Sequence, residues 1–299
     1  MNASVHLLET TLPATVHLQV TVPESHPSAA VLGTERAGTG TLIDPDGLVI
    51  TVNYVVLGAQ SVKVTLVDGR EMLGEVVAQD FPTGIALLRI PGASLPVLAV
   101  RAAPEIAVGD DVFIIASVGD GGRRASSGGV TSIGLFDANW EYTLEPAIFT
   151  TAMNPGLGGG PLIDAAGRLV GVVSLNLNEI GRFSLAIPIE HYRDHRDELL
   201  RFGRRPSRPS RAWLGLYCYT LRSHVVIAGL LPGGPAEAAG LTQGDVILTI
   251  DDHEVASRRE LYEQLWLHRS GERVLLRVYR DSEIRTFEVT SADVDEFFA

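Results

Sequence analysis

The sequence contains a single cysteine, Cys218, among its 299 residues. One cysteine cannot form an intrachain disulfide, so we expect packing alone to hold the fold, and cysteine usage leaves the redox compartment undetermined. The sequence also lacks clusters of histidine, cysteine and glutamate at metal-ligand spacing, so we expect no metal and no other cofactor. No apolar run is long enough to cross a bilayer, so no transmembrane segment is expected.

Positive charge is scarce, with 24 Lys and Arg residues against 36 Asp and Glu and a formal net charge of -12. This balance excludes a general nucleic-acid binder, which needs clustered positive charge. The first twenty residues lack the basic start and the continuous apolar core of a secretory signal. We therefore expect a cytoplasmic protein if Met1 is the native start, and a periplasmic or otherwise extracytoplasmic one if a signal has been removed.

Short β-type runs separated by Gly, Pro and Asp turns occupy residues 15 to 190. Val62, Val64 and Leu66 alternate with polar residues at the period of two that a half-buried strand requires. Many such strands at short intervals indicate a β-sandwich or β-barrel. In residues 190–202 the spacing of apolar residues changes to that of a helix, with Tyr192, Leu199 and Phe202 available for burial. This helix is predicted to close the first domain.

Residues 203–211, GRRPSRPSR, have the composition of a fairly stiff, solvated linker. We place the domain boundary there, between a first domain at 1–202 and a second at 212–299. Two predicted helices and several strands make the second domain a small α+β unit, in which Ser257 can cap the second helix.

Four sequence blocks follow one another in order: GTGTLIDPDGLVITVNYVV, QDFPTGIALLRI, TTAMNPGLGGGPLIDAAGRLVGVV and LPGGPAEAAGLTQGDVILTID. The first three resemble the segments that carry the catalytic histidine, aspartate and serine in the HtrA/Deg family of trypsin-like serine proteases. The fourth resembles the PDZ core that follows the protease in this bacterial family. The resemblance covers nearly the whole chain, and it implies a mainly β protein with a chymotrypsin-like double β-barrel followed by a small α+β PDZ domain.

Carried over residue by residue, the resemblance places Tyr54 at the histidine position, Gly84 at the aspartate position and Gly158 at the nucleophile position. Triad chemistry needs an oxygen nucleophile, an imidazole that titrates near neutral pH and a carboxylate that orients it. None of the three residues supplies its group. We therefore expect a degenerate triad and a pseudoprotease that is not an enzyme, while Gly156 and Gly158 retain the backbone positions of the family's oxyanion hole.

The alternative is a serine endopeptidase with residual or unrecognised catalytic residues. The sequence does not show which residues could replace the missing nucleophile and base. Ser117, Ser126 and Ser127 lie in or beside a Gly-rich loop, and no histidine of the first block is available to pair with them. His191 and His195 fall on the closing helix, where a histidine is more often solvated than recruited as a base.

The loop WLGL, at residues 213–216, is similar to the family's carboxylate-binding loop, whose backbone N–H groups hold a peptide's C-terminal carboxylate. The expected ligands are C-terminal peptides or unfolded proteins, bound by a scaffold, chaperone-like or regulatory protein of protein quality control. The family also forms homotrimers, so a homotrimer or co-assembly with an active relative is a further expectation. The predicted peptide-binding residues are Leu214, Gly215, Leu216, Leu261 and Leu265. For the leucines among them, the alternative to lining a peptide pocket is packing in the core.

Overall fold

The protein is described by a computed structural model that covers residues 3–92, 94–100, 106–119, 122–178 and 181–299. The chain forms two compact units, each assembled from separate stretches of sequence. The first contains Met1–Pro23, Leu32–Phe136 and Leu144–Pro206, and the second contains Glu24–Val31, Asp137–Thr143 and Ser207–Ala299. The last change of unit, after Pro206, falls within the predicted linker at 203–211. Two segments from the predicted first domain join the second unit, an arrangement that a linear division does not anticipate.

The first closed barrel of the first unit has the strand order β1-β2-β3-β6-β5-β4. Its alternating strands bury their apolar faces, and Val62, Val64 and Leu66 are each at most 2% exposed, as their spacing predicts. The strands are β1 (Thr15–Thr21), β2 (Glu35–Asp44), β3 (Leu48–Val52), β4 (Ser61–Thr65), β5 (Glu71–Asp80) and β6 (Ile85–Arg89). The helices of this part of the chain are α1 (Ala3–Thr11), α2 (Ala29–Leu32) and α3 (Asn53–Val56), with a 3₁₀ turn at Leu12–Ala14.

The second closed barrel has the order β10-β11-β12-β9-β8-β7. Its strands are β7 (Asp111–Ser117), β8 (Arg123–Asp137), β9 (Thr143–Thr150), β10 (Pro161–Asp164), β11 (Leu169–Leu177) and β12 (Phe183–Pro188). Helices α4 (Glu190–Arg193) and α5 (Arg196–Phe202) follow. Tyr192 and Leu199 are buried as predicted, whereas Phe202, the last residue of α5, is 51% exposed and packs its ring against the Arg201 guanidinium.

The second unit is built on a six-stranded sheet in which β13-β14-β15-β17-β18 are neighbours and β16 pairs with β15. Ser257 caps α7 as predicted, because its side chain accepts a hydrogen bond from the Glu260 N–H. The prediction of a mainly β protein that ends in a small α+β domain is therefore confirmed. The elements are β13 (Leu216–Leu221), β14 (His224–Leu230), α6 (Pro235–Ala238), β15 (Val246–Ile250), β16 (His253–Glu254), α7 (Arg258–Leu265), β17 (Arg273–Arg280), β18 (Glu283–Thr290) and α8 (Val294–Phe297).

A buried ion pair joins β17 to the loop before β15. The Arg280 guanidinium donates to both carboxylate oxygens of Asp245, at 2.5 and 2.6 Å, and the Asp245 side chain is fully buried. Burial alone would raise the pKa of Asp245, but hydrogen bonds from Arg280 and Thr242 bring it below its usual value. The carboxylate is therefore charged at neutral pH and depends on its partners.

We predict that Arg280→Ala destabilises the second unit by about 3 kcal/mol, because it leaves the buried Asp245 carboxylate without its main partner. The matched control is Arg273→Ala on the same strand, whose ion pair with Glu288 is exposed and should contribute less than about 1 kcal/mol. Urea unfolding followed by tryptophan fluorescence measures this, since Trp140, Trp213 and Trp266 all lie in the second unit. Equal losses in the two variants would contradict the prediction.

Candidate functional site

Tyr54 and Gly158 lie side by side in the first unit. The Tyr54 hydroxyl donates a hydrogen bond of 2.8 Å to the Ser174 carbonyl. A Cβ atom built on Gly158 would lie 2.1 Å from the Tyr54 hydroxyl oxygen and 2.9 Å from the Ser174 carbonyl oxygen. Burial raises the pKa of Tyr54 to about 12, so the hydroxyl stays protonated at neutral pH. Tyr54 thus fills the space that a side chain at position 158 would need.

Gly84 is connected to the residue before Tyr54. Its carbonyl accepts a 2.7 Å hydrogen bond from the Asn53 N–H, and its own N–H donates to the Asp80 carbonyl. Its φ of +78° lies in the left-handed region, where glycine is favoured and an aspartate is strained. The structure therefore brings the positions 54 and 158 into contact and links position 84 to the chain beside them, with a backbone that suits the glycine.

The loop that carries Gly156 and Gly158 is tied down by backbone hydrogen bonds. The Leu157 N–H donates to the Ser117 carbonyl at 2.8 Å, and the Gly158 carbonyl accepts from the Thr39 N–H at 2.7 Å. The Gly156 N–H points to the Asn154 side-chain oxygen at 3.2 Å. An oxyanion bound at the predicted hole would have to compete with Asn154 for this donor, and the role of Gly156 and Gly158 remains a prediction.

A hydroxyl–imidazole pair that the sequence does not reveal lies in the first unit. The Ser117 hydroxyl is 2.8 Å from Nδ1 of His17, a histidine that lies outside the first sequence block. The two residues are 100 positions apart, on β7 and β1, and only the packing of the barrels brings them together. Ser117 and His17 are 0% and 4% exposed, so the pair is shielded from solvent in this structure.

A second candidate site lies in the second unit, where the segment Asp137–Thr143 packs against β13 and α7. The N–H groups of Leu214, Gly215 and Leu216 all donate to the Glu141 carboxylate, at 2.9, 2.7 and 2.9 Å. Gly215 has a φ of +78°, which lets successive N–H groups converge on one anion. Burial raises the pKa of Glu141 to about 7, against the opposing effect of these three donors. The predicted carboxylate loop thus binds a carboxylate, supplied by the chain itself.

The same segment forms an isolated antiparallel bridge at the open edge of β13. Trp140 pairs antiparallel with Tyr217, and the Cys218 N–H donates to the Asn139 carbonyl at 2.6 Å. Such pairing supplies partners to main-chain groups at a sheet edge and is the geometry of peptide recognition by strand addition.

Helix α7 holds the other side of this segment. The Tyr262 hydroxyl donates to the Ala138 carbonyl at 3.1 Å. The Arg258 guanidinium donates to the Asp137 carboxylate at 2.6 Å and to the Asp137 carbonyl at 2.9 Å. We refer to the surface formed by the 213–216 loop, β13 and α7 as the groove.

The predicted peptide-binding residues divide into two kinds in the structure. The loop contributes backbone N–H groups to the Glu141 carboxylate, and its role toward a peptide C-terminus remains a prediction. The four leucines, 214, 216, 261 and 265, are at most 1% exposed and belong to the core of the second unit, so a pocket-lining role for them remains a prediction. Sequence reasoning missed Glu141, because a short stretch between two strands reads as an ordinary turn. It placed Arg258 and Tyr262 on the second predicted helix without assigning them a role, because their partners Asp137 and Ala138 are more than 120 positions away in the chain.

Comparison with known proteins identifies the relatives of this fold. The trypsin-like peptidase domain family matches residues 38–172, and the PDZ domain family matches residues 212–290. The solved structure of the HtrA-type protease AlgW with tripeptide is 27% identical, with a TM-score of 0.59 and coverage of 96% of both chains. The chain belongs to the HtrA family. The predicted family and its architecture, a trypsin-like domain followed by a PDZ domain, are thereby confirmed.

Two curated relatives of this HtrA chain are named "Probable periplasmic serine endoprotease DegP-like". The protein of Halomonas elongata is 33% identical over 272 residues, or 86% of this chain, and that of Pseudomonas savastanoi pv. phaseolicola is 31% identical over 289 residues, or 90%. The HtrA chain spans 56% and 59% of the lengths of these two relatives.

The prediction that the chain is not an enzyme is wrong, because relatives that match most of it are named serine endoproteases. That prediction relied on the three replaced positions alone. The physical weakness of the inference is that binding and an oxyanion hole can leave roughly 10³- to 10⁴-fold catalysis over water when triad groups are removed. Among the described residues of this HtrA chain, no helix has both the length and the apolar character needed to span a membrane.

We predict that Gly158→Ser destabilises the first unit by about 1–3 kcal/mol, because the new Cβ would overlap the Tyr54 hydroxyl. Tyr54→Phe in the same chain should recover part of this loss, since the ring carbon that bore the hydroxyl is 3.4 Å from the Cβ position. A double-mutant cycle from urea unfolding followed by far-UV circular dichroism measures the coupling. Gly134→Ser is the control, because nothing lies within 4 Å of its Cβ position. Additive single and double changes would show that the two positions do not compete for space.

Proposed function

We propose that this HtrA-family protein binds polypeptides in the groove of its PDZ domain, as an added strand whose carboxylate lies on the 213–216 loop. The observation that carries the proposal is the convergence of the Leu214, Gly215 and Leu216 N–H groups on one carboxylate. Backbone donors bind a carboxylate whatever side chain accompanies it, so they suit the C-terminus of many different polypeptides.

The relatives support this ligand class. Two matched structures of the HtrA-type protease AlgW, 27% and 26% identical, are of complexes with a tripeptide and with a decapeptide. The proposed ligands are accordingly C-terminal peptides and unfolded proteins, and the proposed role is that of a binding or regulatory protein in protein quality control. Assembly into a homotrimer, or with a related protease, is a further proposal, which sedimentation velocity at micromolar concentration would decide.

A second candidate function is serine endopeptidase activity, which the names of the curated relatives favour. Residue 158 has no hydroxyl here, so the nucleophile would have to come from another position. Ser117 is the candidate that the geometry offers, because its hydroxyl contacts the His17 imidazole. Since both residues are buried, this function requires the first unit to open around them.

Casein digestion and labelling by a fluorophosphonate probe test the endopeptidase candidate. The expected result under this candidate is casein cleavage together with a labelled serine, both abolished by Ser117→Ala and retained by Ser126→Ala. Labelling of a different serine would keep the activity and remove Ser117 from it. Neither cleavage nor labelling would remove the candidate and leave polypeptide binding as the function.

For polypeptide binding, we predict that the full chain binds a fluorescein-labelled Ala-Asn-Trp-Val peptide with a dissociation constant in the micromolar range, about -8 kcal/mol or weaker. This peptide keeps the residue types at 138–140 and places its terminal carboxylate after an apolar side chain. The C-terminally amidated form should bind at least about tenfold more weakly, because it lacks the anion that the three N–H groups accept. Fluorescence anisotropy at pH 8 measures both. Equal affinities would remove the carboxylate loop from the mechanism.

A further inference from the structure

The groove of the PDZ domain is occupied by the chain's own residues in the manner of a ligand. Glu141 supplies the carboxylate, Trp140 pairs with Tyr217, and the Asn139 carbonyl accepts from the Cys218 N–H. The carboxylate belongs to a side chain, so the chain can continue past the loop into β9, whereas a peptide with a free C-terminus would end there.

We propose that the segment Asp137–Thr143 is an internal ligand that closes the PDZ groove, so that an external polypeptide binds only after displacing it. This inference rests on the proposed polypeptide-binding function and adds the regulation of that site. We refer to Asp137–Thr143 as the internal strand.

The two occupants exclude each other because they use the same donors. The N–H groups of Leu214, Gly215 and Leu216 are within 2.9 Å of Glu141 oxygens, so a second carboxylate cannot reach them while Glu141 stays. The Cys218 N–H is likewise taken by the Asn139 carbonyl, which blocks strand addition at the same edge.

The contacts of the internal strand are of a kind that an external ligand can replace. They are hydrogen bonds and one partly exposed ion pair, between Asp137 and Arg258, with side-chain exposures of 32% and 27%. Trp140 is 39% exposed, and its ring stacks on Tyr142 of the same segment, at a centroid distance of 6.1 Å. Burial also disfavours the charged form of Glu141, whose pKa is raised to about 7, and this cost offsets part of what the three hydrogen bonds contribute.

Competition of this type lowers apparent affinity by the fraction of molecules in which the groove is open. Weakening the internal strand must therefore tighten external binding without any change to the groove itself. This increase distinguishes an internal ligand from a segment that merely supports the groove, because loss of a support would weaken binding.

The test uses the full chain at pH 8 and the fluorescein-labelled Ala-Asn-Trp-Val peptide with a free carboxylate. Glu141→Gln replaces one carboxylate oxygen by an NH₂ group, which cannot accept a hydrogen bond, and should tighten peptide binding about tenfold. Asp137→Ala, which removes the carboxylate that pairs with Arg258, should tighten it about threefold. The control is Glu283→Gln, an exposed glutamate on β18, which should bind like the wild type. Unchanged or weaker binding in both strand variants would overturn the proposal.

Hydrogen exchange provides a readout that needs no peptide. In the wild type, the amides of Leu214, Gly215, Leu216 and Cys218 are bonded to the internal strand and should exchange slowly. In Glu141→Gln the three loop amides should exchange about tenfold faster, while amides of the β17–β18 ladder stay unchanged.

Peptide binding and hydrogen exchange together distinguish the failure of the proposed function from the failure of the internal-ligand proposal. Faster loop exchange without peptide binding by any variant would reject the proposed function and retain the docked internal strand. Carboxylate-dependent peptide binding that is equal in the wild type and Glu141→Gln would retain the proposed function and overturn the internal ligand. Unchanged loop exchange in Glu141→Gln would show that Glu141 does not hold the groove closed.

Discussion

Backbone N–H groups that are withdrawn from water must find an acceptor, and this requirement shapes the groove of the second unit. The 213–216 loop turns three successive N–H groups toward one point, where neighbouring main-chain carbonyls cannot satisfy them all. Glu141 satisfies them from a position 73 to 75 residues earlier in the chain. The non-contiguous composition of the second unit follows the same logic, since Asp137–Thr143 belongs with the sheet that it completes.

The first unit meets the same requirement with different groups. The Tyr54 hydroxyl donates to the Ser174 carbonyl, and the Thr39 hydroxyl donates to the Leu157 carbonyl. The first bond joins α3 to β11, and the second ties the 154–160 loop to β2. Gly158 is compatible with this arrangement because it leaves room for the tyrosine hydroxyl. The residues at positions 54 and 158 thus share one space, which the Tyr54 hydroxyl fills.

The proposed binding of polypeptides by the PDZ domain depends on strand pairing. An extended peptide offers N–H and C=O groups to a sheet edge and side chains to either face. In this chain the edge of β13 is covered by the internal strand. A sheet edge that is covered in this way does not offer the covered N–H and C=O groups for pairing with other chains.

The sequence by itself determined the features that depend on local patterns. The period-two runs indicated the barrels, the change of period indicated the closing helix with its buried Tyr192 and Leu199, and the ordered blocks indicated the family and brought attention to Tyr54, Gly84 and Gly158. Local patterns identify strands, caps and motifs because the forces behind them act between residues close in the chain.

Only the tertiary structure decided which distant groups meet. It paired Ser117 with His17, set the Tyr54 hydroxyl against Gly158, and put Glu141 on the carboxylate loop. It also placed the four leucines of the predicted pocket in the core. These contacts join residues 73 to 104 positions apart, and no local pattern encodes them, because they arise from barrel closure and from the path of the 137–143 segment across the edge of β13.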